Sequence, residues 1–292
     1  MKDQGLITPE EYDQAMSEEL VVTGKSTSSS SSTVYSYFVD TLIREVTSDL
    51  MEQKNITQKY AETMLYSGGL KIQSTLISSV QNALDEVYKD DSYFYKFSGD
   101  TQAESASVVM DYQGHIVGIV GGRGEKTESL SWNRATVATR QPGSTFKPLS
   151  AYTPAIENDL INFGTNVKST AYTSPIDNHT IRNNLGTSSV SVQKALERSS
   201  NTAPAWIIKD LTVDYSYNYL TTRFGLTLTD ADKDMAPLAV GATSGGPSLL
   251  QMTAAYATFG NLGKYWEPTT YTLITDQQDD IVLQQEERPT TA

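Results

Sequence analysis

The chain has 292 residues, is 38% hydrophobic, and carries 22 basic against 35 acidic residues for a net charge of −13. That is apolar material enough for a sizeable core in one large domain or two smaller ones, and such acidity argues against nucleic acid as a partner. The absence of cysteine excludes disulfides, zinc–thiolate sites and cysteine nucleophiles, and leaves the compartment open.

No apolar run reaches the ~20 residues that cross a bilayer. The opening "MKDQGLITPEEYDQAM" lacks the apolar segment of a signal peptide. It predicts a helix start instead: Thr8 and Glu11 have capping-box spacing, with Pro9 at the first helical position. A chain that opens inside so charged a helix is expected to be a piece of something longer. "GKSTSSSSST" (24–33) predicts a flexible linker.

Residues 35–66 follow a helical pattern, with Phe38, Leu42, Val46 and Leu50 about one turn apart and Tyr60, Met64 and Leu65 continuing it. Gly68-Gly69 breaks that helix, the alternation of Leu70 and Ile72 suits a strand, and "ISSVQNALDEVYKD" returns to helical spacing. "ASVVMDYQGHIVGIVGG" predicts an antiparallel hairpin turning at Tyr112-Gln113-Gly114. Helix is expected over 145–157, an Asn/Thr/Ser-rich loop over 163–187 and helix over 190–224. A further helix, "GPSLLQMTAAYATFGNLG", stops near Gly260-Asn261, and "YTLITDQQDDIVLQQ" predicts a closing polar hairpin. Helices flanking an antiparallel sheet make an α+β fold.

Chemistry concentrates in two short stretches. In "RQPGSTFKPLS" (140–150), Ser144 and Lys147 lie three apart behind a Pro-Gly break, so on a helix the amine can reach the hydroxyl. A serine hydroxyl needs a base to take its proton, and a desolvated lysine can be neutral enough to act. The spacing is equally that of a capped helix with a solvated lysine, and it recurs at Ser191 and Lys194. Ser-x-Asn occurs at Ser131/Asn133, Ser199/Asn201 and Ser216/Asn218. The setting of the second, "VQKALERSSNTAPAW", is a turn between two helices, suited to a helix C-cap or to a hydroxyl and an amide facing one cleft.

Other motifs fail on their own terms. "GIVGGRG" has the wrong glycine spacing for a dinucleotide loop. "TGKS" (23–26) has Glu19 where a phosphate loop needs glycine, and "DADKD" (230–234) has Met235 where a calcium loop needs one. The two histidines, His115 and His179, stand far apart without an HExxH frame, which leaves neither zinc hydrolysis nor Ser-His catalysis its parts. No metal or cofactor is expected.

In order, the stretches "YSGGLKIQSTLISSVQNAL", "SVVMDYQGHIVGIVGGR", "WNRATVATRQPGSTFKP", "ALERSSNTAPA" and "GPSLLQMTAAYATFGNLGKYWEP" resemble the transpeptidase region of class A penicillin-binding proteins. "QGLITPEEYDQAM" resembles the tail of the glycosyltransferase domain in such bifunctional enzymes. The resemblance implies a penicillin-binding transpeptidase fold, here truncated at both ends. Residues 1–33 would be the glycosyltransferase tail and Ser-rich linker, 34–98 an interdomain linker region, and 99–292 the transpeptidase domain without its C-terminal part. It implies that Ser144 is the acylated nucleophile, Lys147 its general base, Ser199 the proton shuttle and Asn201 the amide that holds the substrate peptide and the Lys147 amine.

The implied reaction is D,D-transpeptidation. Ser144 attacks the D-Ala–D-Ala bond of a peptidoglycan stem peptide and passes the acyl group to a neighbouring stem's amine, a reaction that β-lactams intercept. The implied place is the extracytoplasmic face of a bacterial membrane, with a cell-wall synthesis complex as a further partner. The family's third motif, Lys-Ser/Thr-Gly, is nowhere in the sequence: "KST" at 25–27 and 168–170 lacks the glycine, and "TSG" at 243–245 lacks the lysine. The resemblance places it on a strand after residue 292. Without that strand, the core face of the 107–120 hairpin and one side of the helix from 145 are expected to face water. Two alternatives stay open: a carboxypeptidase or β-lactamase-type hydrolase of the same fold, and a scaffold that binds penicillin without turnover.

Overall fold

The structure is a computed structural model. It describes residues 34–285 apart from 100, 101 and 177, together with 289–291, Thr8 and Tyr12. Residues 1–33 and 34–292 form two compact units. In the first, the Tyr12 N–H donates to the Thr8 carbonyl at 3.0 Å, a helical spacing. Glu11 of the expected capping box and the Ser-rich linker lie outside the described residues.

In the second unit, helix α1 (Tyr37–Lys54) starts where the Ser36 hydroxyl accepts the Val39 N–H, and ends where Asn55 turns left-handed at φ 51°. Its stripe of Phe38, Leu42, Val46 and Leu50 is buried, as the spacing predicts, whereas Tyr60 of α2 (Gln58–Ser67) is exposed. Strand β1 (Lys71–Ser74) and helix α3 (Ser78–Lys89) follow, then the hairpin of β2 (Ser107–Met110) and β3 (Ile116–Val120).

A helical segment then spans 143–157. It passes from a 3-10 turn (Gly143–Phe146) through a π turn (Pro148–Tyr152) into an α turn (Thr153–Glu157), and is called α4 here. A regular α-helix would need an N–H at position 148. Proline has none, so the ladder changes register around it.

Residues 163–187 are not the plain loop that their composition predicts. They hold β4 (Asn166–Lys168), β5 (Tyr172–Thr173) and β6 (Thr180–Ile181); β5 pairs with β6, and β4 with β7 (Ser189–Ser191). Strands of two or three residues are too short to show a period of two. The expected helix over 190–224 is three helices: α5 (Val192–Glu197), α6 (Thr202–Leu211) and α7 (Val213–Arg223). Then come α8 (Met235–Val240), α9 (Leu249–Ala257), β8 (Lys264–Tyr265), β9 (Tyr271–Thr275), β10 (Ile281–Gln284) and β11 (Thr290–Thr291), which pairs with β8.

The final hairpin exists, but its inner face is apolar. Tyr271, Ile274 and Leu283 are buried, and β9 is the central strand of an antiparallel sheet ordered β1-β9-β10. The β2–β3 hairpin joins that sheet where Ile116 donates to the Thr269 carbonyl and Thr269 donates to that of Gly114. Helix α1 covers the sheet with Phe38, Val46 and Leu50 against Ile119, Tyr271 and Ile274. Glu45 ties the two together by accepting from Thr269 and Thr270, and burial pushes its carboxyl up. A second core surrounds α4, with Phe146, Leu149 and Tyr152 against residues of α6, α7 and α8.

Strand β3 and α4 are therefore covered by the chain's own segments, contrary to the expectation that both face water. Every residue of β3 is buried, and α4 buries Leu149, Ala151, Tyr152 and Ala155. The partly open strand of the hairpin is β2, whose four residues are half-buried and which pairs only with β3 among the described residues.

Candidate active site

Ser144 sits in the first turn of α4 and is exposed. The loop leading to it is fastened by a segment far along the chain. Gly143 donates to the Gly241 carbonyl at 3.1 Å, the Gln141 side chain donates to the Thr243 carbonyl at 2.7 Å, and the Tyr256 hydroxyl of α9 donates to the Thr145 carbonyl at 2.6 Å. Gly241 has φ +69°, and a Cβ there would lie 2.0 Å from the Gly143 oxygen. Only glycine allows two backbones so close in that conformation. Sequence reasoning missed Gly241, Thr243 and Tyr256. The one available signal was the glycine-rich string "GATSGG" (241–246), and a local pattern does not say what a glycine approaches.

One turn after Ser144, Lys147 is 2% exposed. Its amine lies 3.0 Å from the Ser199 carbonyl, 3.1 Å from the Ser199 hydroxyl and 2.7 Å from the Asn201 side-chain oxygen. None of its hydrogen bonds goes to Ser144, and no carboxylate pairs with it among the described residues. A buried ammonium without a counter-charge is disfavoured relative to the neutral amine. Burial accordingly pushes Lys147 from an ordinary 10.5 down to about 8.

Ser199, Ser200 and Asn201 form the turn between α5 and α6, as the sequence predicts. Ser199 takes a left-handed backbone at φ 50°. Its own N–H donates to the Leu196 carbonyl, and that of Ser200 donates to Ala195. Four sequence candidates, Ser144, Lys147, Ser199 and Asn201, thus converge on one region, and Lys147 bridges its two halves.

The competing motif copies have structural work. The Ser191 hydroxyl caps α5 by accepting the Lys194 N–H, and the Lys194 side chain is exposed beside Glu197. Asn133 is buried and accepts from the Ala135 N–H, while Ser216 is buried and donates to the Ser150 carbonyl. In "DADKD" the Asp232 carboxylate is taken by Thr229 and Ser244. Among the described residues, no cluster of three His, Asp or Glu side chains could hold a metal ion.

Beside the Ser144 turn runs a groove of about 1000 Å³. Ala106, Val137, Leu249 and Met252 line it, Tyr256 and Thr145 stand at its site end, and Arg134 and Glu104 on its wall are 3.6 Å apart.

Residues 105–291 match the family described as penicillin binding protein transpeptidase domain. Penicillin-binding protein 1A of Clostridium botulinum is 30% identical, over 97% of this chain and 36% of its own length. That of Clostridium acetobutylicum is 34% identical, over 86% of this chain and 33% of its own. The chain spans about a third of the length of the curated relatives it matches. Among solved structures, penicillin-binding protein PonA1 of Mycobacterium tuberculosis superposes with TM-score 0.68 at 21% identity, covering 87% of this chain and 66% of that one. Penicillin-Binding Protein 1A of Haemophilus influenzae gives TM-score 0.63 at 16% identity, covering 99% and 55%. These two show the α+β transpeptidase fold, and with the match over 105–291 the chain belongs to the penicillin-binding protein transpeptidase family.

Proposed function

We propose that this site performs serine acyl transfer on peptidoglycan stem peptides, with Ser144 as nucleophile and Lys147 as its base. The observation that carries the reading is the state of Lys147: buried, bonded to neutral oxygens alone, and lowered to about 8. At pH 7 roughly a tenth of such amines are neutral, against less than a thousandth for a solvated lysine.

The neutral amine takes the Ser144 proton as its Oγ bonds to the carbonyl carbon of the terminal D-Ala–D-Ala amide. The Ser199 hydroxyl, 3.1 Å from the Lys147 amine, relays a proton to the departing D-alanine nitrogen as the C–N bond breaks. The ester left on Ser144 is then attacked by a second stem's amine, whose surplus proton returns through Lys147 to the serine oxygen. Asn201 keeps the Lys147 amine in place through its side-chain oxygen and has its amide N–H groups for the substrate peptide. A β-lactam enters the same first step. The related PonA1 structure in complex with penicillin V supports this at the level of the shared fold. The substrate places the reaction on the extracytoplasmic face of the bacterial membrane; among the described residues no helix is long and apolar enough to cross one.

Labelling of the intact protein by a fluorescent penicillin tests the nucleophile. Ser144→Ala is expected to abolish covalent labelling and Ser191→Ala to leave it intact. Equal labelling of the Ser144→Ala protein overturns the assignment.

A further inference from the structure

The turn that holds Lys147 is itself held from outside its two helices by a single further side chain among the described residues. That side chain is Asn184, on the loop between β6 and β7. Its amide donates to the Ser199 carbonyl at 3.2 Å, and its oxygen accepts the Asn201 N–H at 2.9 Å. Those two bonds require opposite ends of the carboxamide, so the orientation of the group is determined by its partners. Asn183, next to it, stiffens the loop by donating to the Thr187 carbonyl and accepting from the N–H groups of Leu185 and Gly186.

The bonds of Asn184 fall on a place that needs support. Ser199 is a non-glycine residue at φ 50°, a conformation that persists only where the surroundings impose it. Its carbonyl accepts from both the Lys147 amine and Asn184. If the turn relaxed, the Ser199 carbonyl and hydroxyl and the Asn201 oxygen would leave the Lys147 amine together. The helices alone do not prevent this: α5 holds the turn through the N–H groups of Ser199 and Ser200, α6 holds it through the Ser200 hydroxyl that accepts the Ala203 N–H, and neither bonds the Ser199 carbonyl.

We propose that Asn184 is a positioning residue for the acylation machinery: it clamps the 199–201 turn in its strained form and so sets the place and the proton affinity of the Lys147 amine. The inference rests on the reading of Ser144, Lys147 and Ser199 given above. Asn184 touches none of the reacting atoms. It is exposed, so its substitution removes two hydrogen bonds and little packing.

The test measures acylation of the intact protein by a fluorescent penicillin across pH 6–10, separating the binding constant from the acylation rate constant. The proteins compared are wild type, Asn184→Ala, Asn184→Asp and Ser144→Ala, each checked for a cooperative melt. Asn184→Ala is expected to lower the acylation rate constant at least tenfold with little change in binding. Asn184→Asp keeps an acceptor for the Asn201 N–H but loses the donor to Ser199 and adds a negative charge near the Lys147 amine. It is expected to slow acylation and to move the midpoint of the pH profile upward by roughly half a unit or more. In Asn184→Ala, which adds no charge, a residue that only helps its loop to fold would leave the midpoint in place, whereas loss of the clamp is expected to move it. Wild-type rate and midpoint in both Asn184 variants, with Ser144→Ala inert, overturn the role of Asn184 and leave the catalytic reading standing. A Ser144→Ala protein that still labels overturns the catalytic reading itself, whatever the Asn184 variants do.

Discussion

The Lys147 amine lies 2.7 Å from the side-chain oxygen of Asn201, 54 positions further along the chain. That contact joins the helix carrying Ser144 to the turn carrying Ser199, so the chemistry of the site depends on a lysine buried between two elements. Its partners are dipoles, which orient the amine without the full charge stabilisation that a carboxylate would supply.

The role of that lysine separates from its charge. Lys147→Arg keeps a cation but cannot deprotonate in the accessible range. Loss of a general base costs roughly 10²-fold or more in rate, and Lys147→Arg is expected to lose acylation about as fully as Lys147→Ala. An arginine variant that keeps most of the wild-type labelling rate would show that Lys147 acts by charge alone.

With Lys147 as the proposed base, acylation should rise with pH through the folded-state value of about 8. Below it the rate is expected to fall about tenfold per pH unit, and above it to level off. The same depression, from 10.5, means that the folded protein holds fewer protons than the unfolded chain between about 8 and 10.5. This group's contribution to stability therefore rises with pH across that window. A rate profile without an acid limb near 8 would contradict the assignment.

The loop before Ser144 is held by a close pass of two backbones. Gly241→Ala would put a methyl 2.0 Å from the Gly143 oxygen at φ +69°. A left-handed alanine alone costs about 1–2 kcal/mol, so a lower melting temperature and slowed acylation are expected. Gly245→Ala is the control, since a Cβ there finds its nearest neighbour at an ordinary 3.7 Å. Equal acylation by the two variants would mean that the 241–143 contact does not position Ser144.

The groove that runs along α9 past Ala106 and Val137 should bind a hydrophobic dye. Val137→Glu with Leu249→Glu, on its walls, is expected to remove about half of the dye signal or more. Unchanged dye fluorescence in the double variant would locate the exposed apolar surface elsewhere.

Much of the scaffold was legible in the residues themselves. The stripe Phe38, Leu42, Val46 and Leu50 repeats at the helical period, and the stripe is buried. The β2–β3 hairpin follows from β-branched runs around a Gly-containing turn, and the Ser199 turn from a polar break between two helical patterns. Each depends on neighbours within a few positions, which is the range over which periodicity and turn chemistry act. The small pairings within 163–191 were not legible, because their short strands are selected by partners rather than by their own pattern.

Spacing alone could not separate Ser144/Lys147 from Ser191/Lys194, since both pairs sit three apart at a helix start. The tertiary structure made them different. Lys147 is buried against the 199–201 turn and brought down to about 8, while Lys194 stays exposed beside Glu197 and Ser191 is spent as a helix cap. A residue's desolvation is a sum over segments that arrive from elsewhere in the chain, here 199–201 on Lys147 and 241–256 on the loop before Ser144. The local sequence therefore determined which side chains were available, and the packing of distant segments decided which lysine was taken out of water.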